Sequence, residues 1–430
     1  MPYVASVLVG DPVRGQALIS RVDQFIGWTV MATAPFLGAS IDKLGPRKGW
    51  LGLVVGLMVP LIAALWWAKP GGLGLSLPLV MLAMAAARVL FVYSEVLHNA
   101  LLVRAAGLGG AHKASGLALS LGNLLSVLAL AFTAWAFALP GKVHWGWVPA
   151  APLFGLDPAT HEPERVVALM AAGLLALGSI PLFLFTPDAP PTGTPALRAF
   201  AEGARELKRM VQTVSHYRDA MIYLGSRMFF VDGMNAVLIY GGVLAVGVMK
   251  WGPLEMLVYG ILLSVFAVLG GFVGRWLDAG VGPRAALQVE ISMTIVSLLG
   301  TLGMSQTRIL YVLPYDAAQH APLWDGPVFR HLPDWVFIAI GFSNAIFITA
   351  QYASSRTLLT RLTPQEQTGA FFGVYALSGV ATAWLAPTLV NLGTTVTHTQ
   401  QGGFATILVL LFIGVVGLFF VRGGGRARPA

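Results

Sequence analysis

The sequence has no cysteine among its 430 residues. This absence excludes disulfides, a thiolate nucleophile, iron–sulfur clusters and cysteine-based zinc sites, and it leaves the redox compartment undetermined. The sequence also lacks the HExxH and GxSxG motifs and the phosphate-binding P-loop, so nothing in it supports hydrolytic or ATP-driven chemistry. We therefore predict that the protein is not an enzyme and that it has neither a cofactor nor a metal site.

Charged residues are also scarce. Only 11% of the residues are charged, whereas 56% are hydrophobic and the mean hydropathy is +0.74. A soluble core could not bury this much apolar side chain, so we expect the apolar surface to face lipid. The formal net charge of +8 does not indicate a nucleic-acid partner, because the basic residues are scattered over many short loops.

Apolar segments recur along the chain, and eleven of them reach the length of about 20 residues that crosses a bilayer. Basic residues collect in alternate loops, which by the positive-inside rule predicts a cytoplasmic C-terminus. The spans are predicted near residues 16–40, 49–68, 75–103, 115–139, 164–186, 220–249, 253–276, 285–304, 334–359, 369–392 and 402–421.

The first ten residues, MPYVASVLVG, are apolar but short. At about 1.5 Å per residue, a helix of this length crosses about half of the ~30 Å hydrocarbon layer. We interpret them as the second half of a membrane helix that begins upstream of this sequence. The alternative is a short re-entrant or interfacial segment.

A polar interval divides the chain into two parts. It begins with a proline-rich stretch, and residues 196–216 then show the spacing of an amphipathic helix on the cytoplasmic face. We predict an N-terminal six-helix half over residues 1–186 with a partial first helix, a linker over 187–218, and a C-terminal six-helix half with a short basic tail over 219–430.

The two parts contain similar segments. GASIDKLGPR at residues 38–47 matches GRWLDAGVGPR at residues 274–284. A parallel repeat of this kind predicts a binding site near the membrane midplane, between the halves. The matched positions are Gly38 with Gly274, Asp42 with Asp278 and Arg47 with Arg284.

The loop pattern G-x-x-x-D-K-x-G-x-R-K, at residues 38–48, resembles the signature loop of the major facilitator superfamily of transporters. The stretches ASVLVGDPVRGQAL, PLFGLDPAT, PLFLFTPD, RMFFVDGMN and FFGVYALSG further resemble the vacuole-effluxer family within that superfamily. In fungi that family is associated with amino-acid release from vacuoles.

The resemblance implies an all-α polytopic membrane protein, with two six-helix halves related by a pseudo-two-fold axis and a truncated first helix. It implies a secondary active transporter that alternates its access, with an amino acid as the candidate solute and a proton as the candidate coupling ion. We expect a monomer in a bacterial inner membrane, with lipid and a small solute as its partners. A membrane receptor or scaffold that retains the fold without transporting is the alternative.

The signature loop at residues 38–48 and its repeat at residues 274–284, called its echo below, are predicted to form a cytoplasmic gate. In the superfamily the loop aspartate approaches a helix N-terminus of the other half, where a carboxylate gains about 0.3–1 kcal/mol. The alternative is that these charges only end helices and obey the positive-inside rule. The predicted gate residues are Gly38, Asp42, Lys43, Gly45, Arg47, Lys48, Gly274, Asp278 and Arg284.

Charged residues inside spans are costly and are functional candidates. Glu95 and Asn99 each lie within about 20° of Arg88 around the helix axis, so the three share one helix face. The resemblance places Arg88 and Asp232 on cavity-lining helices, where they could bind a zwitterion or where Asp232 could carry a proton. A purely structural salt bridge between them is the alternative.

Neutral polar residues complete the predicted substrate or proton pathway. Asn235, Gln351 and Tyr352 are expected to add hydrogen bonds. For Arg227 we expect snorkelling towards lipid headgroups, because it lies about 140° around its helix from Asp232. His98 and Glu290 are weaker candidates.

Overall fold

The computed structural model describes residues 3–40, 45–106, 111–188, 190, 195–363 and 368–423. The chain divides into two compact units. The larger unit comprises Met1–Gln24 with Met210–Ala430, and the smaller unit comprises Phe25–Arg209. The predicted assignment of six helices to each half, with its boundaries at 186 and 218, stays a prediction.

Helices dominate the described residues. The α-helices are α1 (Pro12–Ser40), α2 (Lys48–Ala64), α3 (Leu77–Ala106), α4 (Ala111–Thr133), α5 (Glu162–Phe185), α6 (Ala196–Ser215), α7 (Arg218–Val248), α8 (Pro253–Gly280), α9 (Pro283–Leu302), α10 (Leu332–Leu362), α11 (Thr368–Ser378), α12 (Leu385–Thr397), α13 (Gln400–Ala405) and α14 (Ile407–Phe419). Two π-helical turns, four 3₁₀ turns and one short hairpin also occur in the described part of the chain. The turns are Val4–Leu8, Leu65–Trp67, Pro70–Gly72, Ala134–Ala138, Leu153–Gly155 and Pro158–Thr160.

Ten of the eleven predicted spans coincide with a helix, the span over 369–392 being divided between two helices, and the protein is an integral, multi-pass membrane protein. Eight helices of the described chain are long and apolar enough to cross a bilayer. They are Lys48–Trp67, Leu77–His98, Glu162–Phe185, Arg218–Val248, Pro253–Gly280, Pro283–Leu302, Leu332–Leu362 and Gln400–Phe419.

Three predicted spans do not meet those criteria, each for a physical reason. The first, in α1, is 29 residues long, but its polar and small residues lower its hydropathy. The fourth has a shorter apolar part, Leu124–Ala138. The predicted span over 369–392 is wrong as a continuous helix, because the chain turns between the end of α11 and the start of α12.

The amphipathic linker helix is confirmed as α6. Its Ala199 and Val214 are fully buried, whereas Arg205, Lys208 and Arg209 are exposed. A helix with one apolar and one cationic face suits the interface between protein and solvent or lipid headgroups. Its location on the cytoplasmic face stays a prediction.

The N-terminal segment is helical over Val4–Leu8 and then bends at Gly10, whose φ is +72°. The predicted helical character is therefore confirmed for these five residues. Asp11 begins the next helix, because its Oδ1 accepts the backbone N–H groups of Val13 and Arg14 at 2.9 and 3.0 Å. Such a cap satisfies donors that the first helical turn leaves free.

The connection between α9 and α10 contains the hairpin. Strand β1 (Arg308–Ile309) pairs antiparallel with β2 (Leu313–Pro314), so that Arg308 lies opposite Pro314. The Tyr311 hydroxyl donates to the backbone oxygen of Leu299 at 2.7 Å. This bond attaches the hairpin to the end of α9.

Close backbone approach joins α8 to α10 in the larger unit. A Cβ atom at Gly274 would lie 3.2 Å from the Cα and the backbone oxygen of Ala350, and one at Gly270 would collide with the backbone oxygen of Ile346. Small residues of this kind let membrane helices pack closely.

Candidate functional site

The interruption between α11 and α12 lies against α7, in the larger unit. Six residues, 379–384, form turns between the two helices. The hydroxyl of Thr382 in these turns donates to the backbone oxygen of Met228 on α7 at 2.7 Å. An interrupted membrane helix leaves backbone groups without helical partners, and these must be satisfied inside the protein.

Arg227 of α7 meets the end of α11. Its Nη1 donates to the backbone oxygen of Tyr375 and to the hydroxyl of Ser378, both at 2.8 Å. The guanidinium carbon lies 3.5 Å from the centre of the Tyr375 ring. The Tyr375 oxygen accepts from Arg227 and from the Ser378 hydroxyl, the latter also at 2.8 Å, because Gly379, its expected helical partner, bonds to Ala376 instead.

The prediction that Arg227 snorkels to lipid headgroups is therefore wrong. Its residue exposure is 6%, and its cation lies at the negative end of a helix dipole. A continuous neighbouring helix would offer Arg227 no unpaired backbone oxygen. The break in the neighbouring helix instead presents two helix ends.

Asp232 meets the other side of the break. Its Oδ2 accepts the backbone N–H of Ala386, in the first turn of α12, at 2.9 Å. The residue is 5% exposed. A carboxylate at a helix N-terminus is stabilised by the dipole and satisfies an unpaired donor. The bond uses Oδ2 alone, and a carboxylate can accept further hydrogen bonds.

Two of the predicted neutral residues lie together. The Tyr352 hydroxyl donates to Oδ1 of Asn235 at 3.0 Å, which links α10 to α7. Tyr352 also lines a cavity of about 320 Å³, together with Tyr259 and Asn344. That volume is at the lower end of the range of about 300–1,000 Å³ for ligand pockets, and the lining is largely apolar, as in such pockets.

Asn344 is a residue that the sequence reasoning missed. Its Oδ1 is buried and has no hydrogen-bond partner among the described residues. An unsatisfied acceptor in a cavity wall is a place where a ligand donor can bind. Its sequence signal was an asparagine inside a predicted span, the same signal that singled out Asn235.

Gln351 belongs to a different group from Tyr352, its neighbour in the chain. Its Nε2 donates to the Thr294 hydroxyl at 2.7 Å and to the backbone oxygen of Glu290 at 3.4 Å. Its place in the substrate or proton pathway stays a prediction.

The predicted polar stripe on α3 lies in the smaller unit. Arg88 is half-buried and takes part in an interaction, whereas Glu95 and the weaker candidate His98 are exposed. Asn99 lies in α3, but its side chain is outside the described set. The Arg88–Asp232 pair stays a prediction, because the two residues belong to different units.

The signature loop is partly described. Asp42 and Lys43 lie outside the described residues. Gly38 is the third-last residue of α1, and Gly45 has φ +75°, a conformation that favours glycine.

Asp188, which the sequence reasoning also missed as a functional candidate, holds the start of α2. Its two carboxylate oxygens accept the backbone N–H groups of Arg47 and Lys48 at 2.8 and 3.1 Å. Lys48 also donates from Nζ to the backbone oxygen of Phe183 at 2.9 Å. These contacts tie the cationic end of the loop to the end of α5 within the smaller unit.

The echo of this loop lies in the larger unit. Gly274 packs against Ala350, and Arg284 donates to the backbone oxygen of Val421. Asp278 is 9% exposed, and its buried Oδ1 has no hydrogen-bond partner among the described residues. The role of both loops as a gate stays a prediction.

Several solved structures with a similar architecture are transporters. The xylose transporter XylE from E. coli has a TM-score of 0.57 at 13% identity and covers 98% of this chain and 92% of its own. The nucleoside transporter NupG has a TM-score of 0.54 at 10% identity, covering 95% and 98%. The major facilitator superfamily transporter FucP, in its outward conformation, has a TM-score of 0.53 at 12% identity, covering 95% and 90%.

At these identities the likeness shows the fold alone, and the fold is that of major facilitator superfamily transporters. No curated protein sequence matches the chain significantly. The model of one family, described as vacuole effluxer Atg22 like, matches residues 110–424. The chain belongs to this family, which confirms the resemblance inferred from its motifs.

Proposed function

We propose that the protein is a secondary active transporter that moves a small solute by alternating access between two six-helix halves. The observation that carries the proposal is membership of an effluxer family combined with a transporter fold. The cavity beside Tyr352, with the unsatisfied oxygen of Asn344, supports it from within the larger unit. The sequence motifs that would support an enzyme are absent.

The proposed solute is an amino acid. Arg88 would bind its carboxylate, and Asp232 would bind its ammonium or carry the coupling proton. Asn235, Tyr352 and Asn344 would add neutral hydrogen bonds. The bond from Ala386 to Asp232 supports this assignment, because it fixes the carboxylate while leaving it able to accept another donor.

The proposed gate consists of the signature loop and its echo. Its support is that Asp188 holds the backbone at Arg47 and Lys48 and the Lys48 ammonium donates to Phe183, whereas Asp278 has an oxygen with no partner among the described residues. A carboxylate that is free to meet a helix N-terminus in one state and not in another would bias a two-state equilibrium.

Flux measurements in proteoliposomes test the transport proposal. We expect labelled flux of at least one amino acid, and we expect a pH gradient to change its rate. Arg88→Ala and Asp232→Asn should both lower flux, whereas the exposed loop variant Arg330→Ala should not. Flux that is absent for every amino acid and insensitive to pH would contradict the proposal, and wild-type flux in both variants would contradict the site.

The proposed membrane is a bacterial inner membrane, with the C-terminus cytoplasmic and the protein monomeric. The absence of cysteine allows a direct test, because Pro429→Cys introduces the only thiol in the chain. An impermeant maleimide should label this thiol in inverted vesicles and not in intact cells. The reverse pattern would contradict the orientation, and light scattering of the purified protein tests the monomer.

A further inference from the structure

A second group of buried polar residues lies between α8, α9 and α10, and we call it the acidic cluster. It consists of Asp278, Glu290, Gln351 and Ser354. Glu290, Gln351 and Ser354 have 0% exposure, and Asp278 has 9%. The hydroxyl of Ser354 donates to Oε1 of Glu290 at 2.8 Å.

The packing of α8 on α10 places Asp278 in this cluster. Gly270 meets Ile346 and Gly274 meets Ala350, so four residues along α8 correspond to four residues along α10. Residues four apart lie on the same helix face. The next step along both helices therefore sets Asp278 opposite Ser354, whose hydroxyl donates to Glu290.

Three oxygen atoms of the cluster are buried without a hydrogen-bond partner in the described part of the chain: Oδ1 of Asp278, Oε2 of Glu290 and Oε1 of Gln351. Buried polar atoms are normally satisfied, so each of these calls for a donor or a cation. The salt bridges found among the described residues include none to either carboxylate.

The orientation of the Gln351 amide follows from its neighbours. The Thr294 hydroxyl donates to the backbone oxygen of Glu290 at 3.0 Å, so it can only accept from Gln351, whose Nε2 lies 2.7 Å away. The nitrogen therefore takes the hydrogen bonds, and the oxygen is the unsatisfied end. Gln351 therefore contributes a buried acceptor to the cluster, in contact with Glu290 through its amide nitrogen.

We propose that the acidic cluster binds a small monovalent cation such as Na⁺. Hard cations prefer oxygen ligands, and two carboxylates with an amide oxygen supply both the ligands and the charge. Ca²⁺ takes about 6–8 oxygens and Mg²⁺ keeps several waters. A closed cluster whose unpartnered atoms are three oxygens suits a monovalent ion better than either.

Ser354 has a positioning role in this proposal. Its hydroxyl holds Oε1 of Glu290, which leaves Oε2 to the cation. Groups that orient a ligand in this way commonly change metal affinity by about tenfold or more when they are replaced. Ser354→Ala is therefore expected to weaken cation binding without abolishing it.

The melting temperature of the purified protein in NaCl and in choline chloride, at one pH and one ionic strength, tests the proposal. Na⁺ should raise the wild-type melting temperature saturably, because a ligand that binds the folded state stabilises it. Glu290→Gln should remove the rise, and Ser354→Ala should shift its midpoint to about tenfold higher Na⁺. Glu206→Gln, a matched change on α6, should leave the rise intact.

Binding of radioactive Na⁺ to the purified wild-type protein and to the same variants is the second readout. No Na⁺ dependence in wild type, an unchanged response in Glu290→Gln, or a response to pH alone would overturn the proposal, and the last would assign the cluster to a proton. If Glu290→Gln does not fold, the proposal is tested with Asp278→Asn and Ser354→Ala, whose responses to Na⁺ should be weaker than that of wild type. Neither assay measures flux, so its outcome is independent of the transport proposal.

Discussion

Two groups of buried charge in the larger unit differ in what meets them. Arg227 and Asp232 lie on α7 and contact backbone groups at the two sides of an interrupted helix. Glu290 and Asp278 each keep a buried oxygen without a donor among the described residues. A buried charge that is matched by its surroundings holds structure together, whereas an unmatched one costs stability unless a ligand completes it.

The geometry of the interruption explains the first group. The C-terminal end of α11 carries partial negative charge and the N-terminal end of α12 carries partial positive charge. Arg227 meets the former and Asp232 the latter, so one helix neutralises both ends. The acidic cluster lies between side chains of α8, α9 and α10, where three oxygens have no hydrogen-bond partner among the described residues.

The largest expected effect comes from removing the matched cation. Arg227→Met removes the charged donor to the Tyr375 oxygen and the Ser378 hydroxyl and the contact with the Tyr375 ring, leaving the Ser378 hydroxyl as the donor to that oxygen. We expect a loss of about 3 kcal/mol of unfolding free energy, measured as a lower melting temperature in detergent. Arg275→Met, at an exposed position of α8, is the matched control. An equal loss there would show that the buried contacts of Arg227 are not the cause of the lower stability.

A matched carboxylate in the smaller unit should behave in the same way. Asp188→Ala removes the acceptor for the backbone N–H groups of Arg47 and Lys48, and we expect a loss of about 2 kcal/mol. Asp188→Asn keeps an acceptor oxygen and should lose less. If the alanine variant melts like wild type, backbone capping is not what this charge does.

Asp232 has the next smaller effect, because its carboxylate accepts one hydrogen bond within the described part of the chain. Asp232→Ala should cost about 1 kcal/mol, the usual value of a lost N-cap. Asp232→Asn retains a capping oxygen and should keep most of the stability while losing the charge. Comparing melting temperature with flux for the two variants separates the capping role from the proposed transport role: low flux in both is expected if the charge is used, and wild-type flux in Asp232→Asn would argue that it is not.

The membrane helices were predictable because about 20 apolar residues are a strong, local signal. The interruption was not predicted, although Pro387 signals it: proline is favoured in a first helical turn and unfavourable inside a helix. Pro387 is the third residue of α12. The error about Arg227 followed from that omission.

The polar contacts were less predictable than the helices. The sequence singled out Gln351 and Tyr352 together, but adjacent residues point to different sides of a helix, and only Tyr352 lines the cavity. Glu290 looked like an isolated acid because its neighbours come from helices distant in the sequence. Register between helices depends on packing at glycines such as Gly274, which a single sequence does not reveal.

The smallest expected effect is the most direct test of the central claim. That claim is that a buried charge stabilises this fold where protein groups pair with it, and costs stability where they do not. In choline chloride, Glu290→Gln should melt slightly above wild type, because a buried carboxylate without a full set of partners is removed. The expected gain in unfolding free energy is about 0.5–1 kcal/mol. In saturating NaCl the order should reverse. A Glu290→Gln variant that melts well below wild type in both solutions, as Arg227→Met should, would contradict the claim.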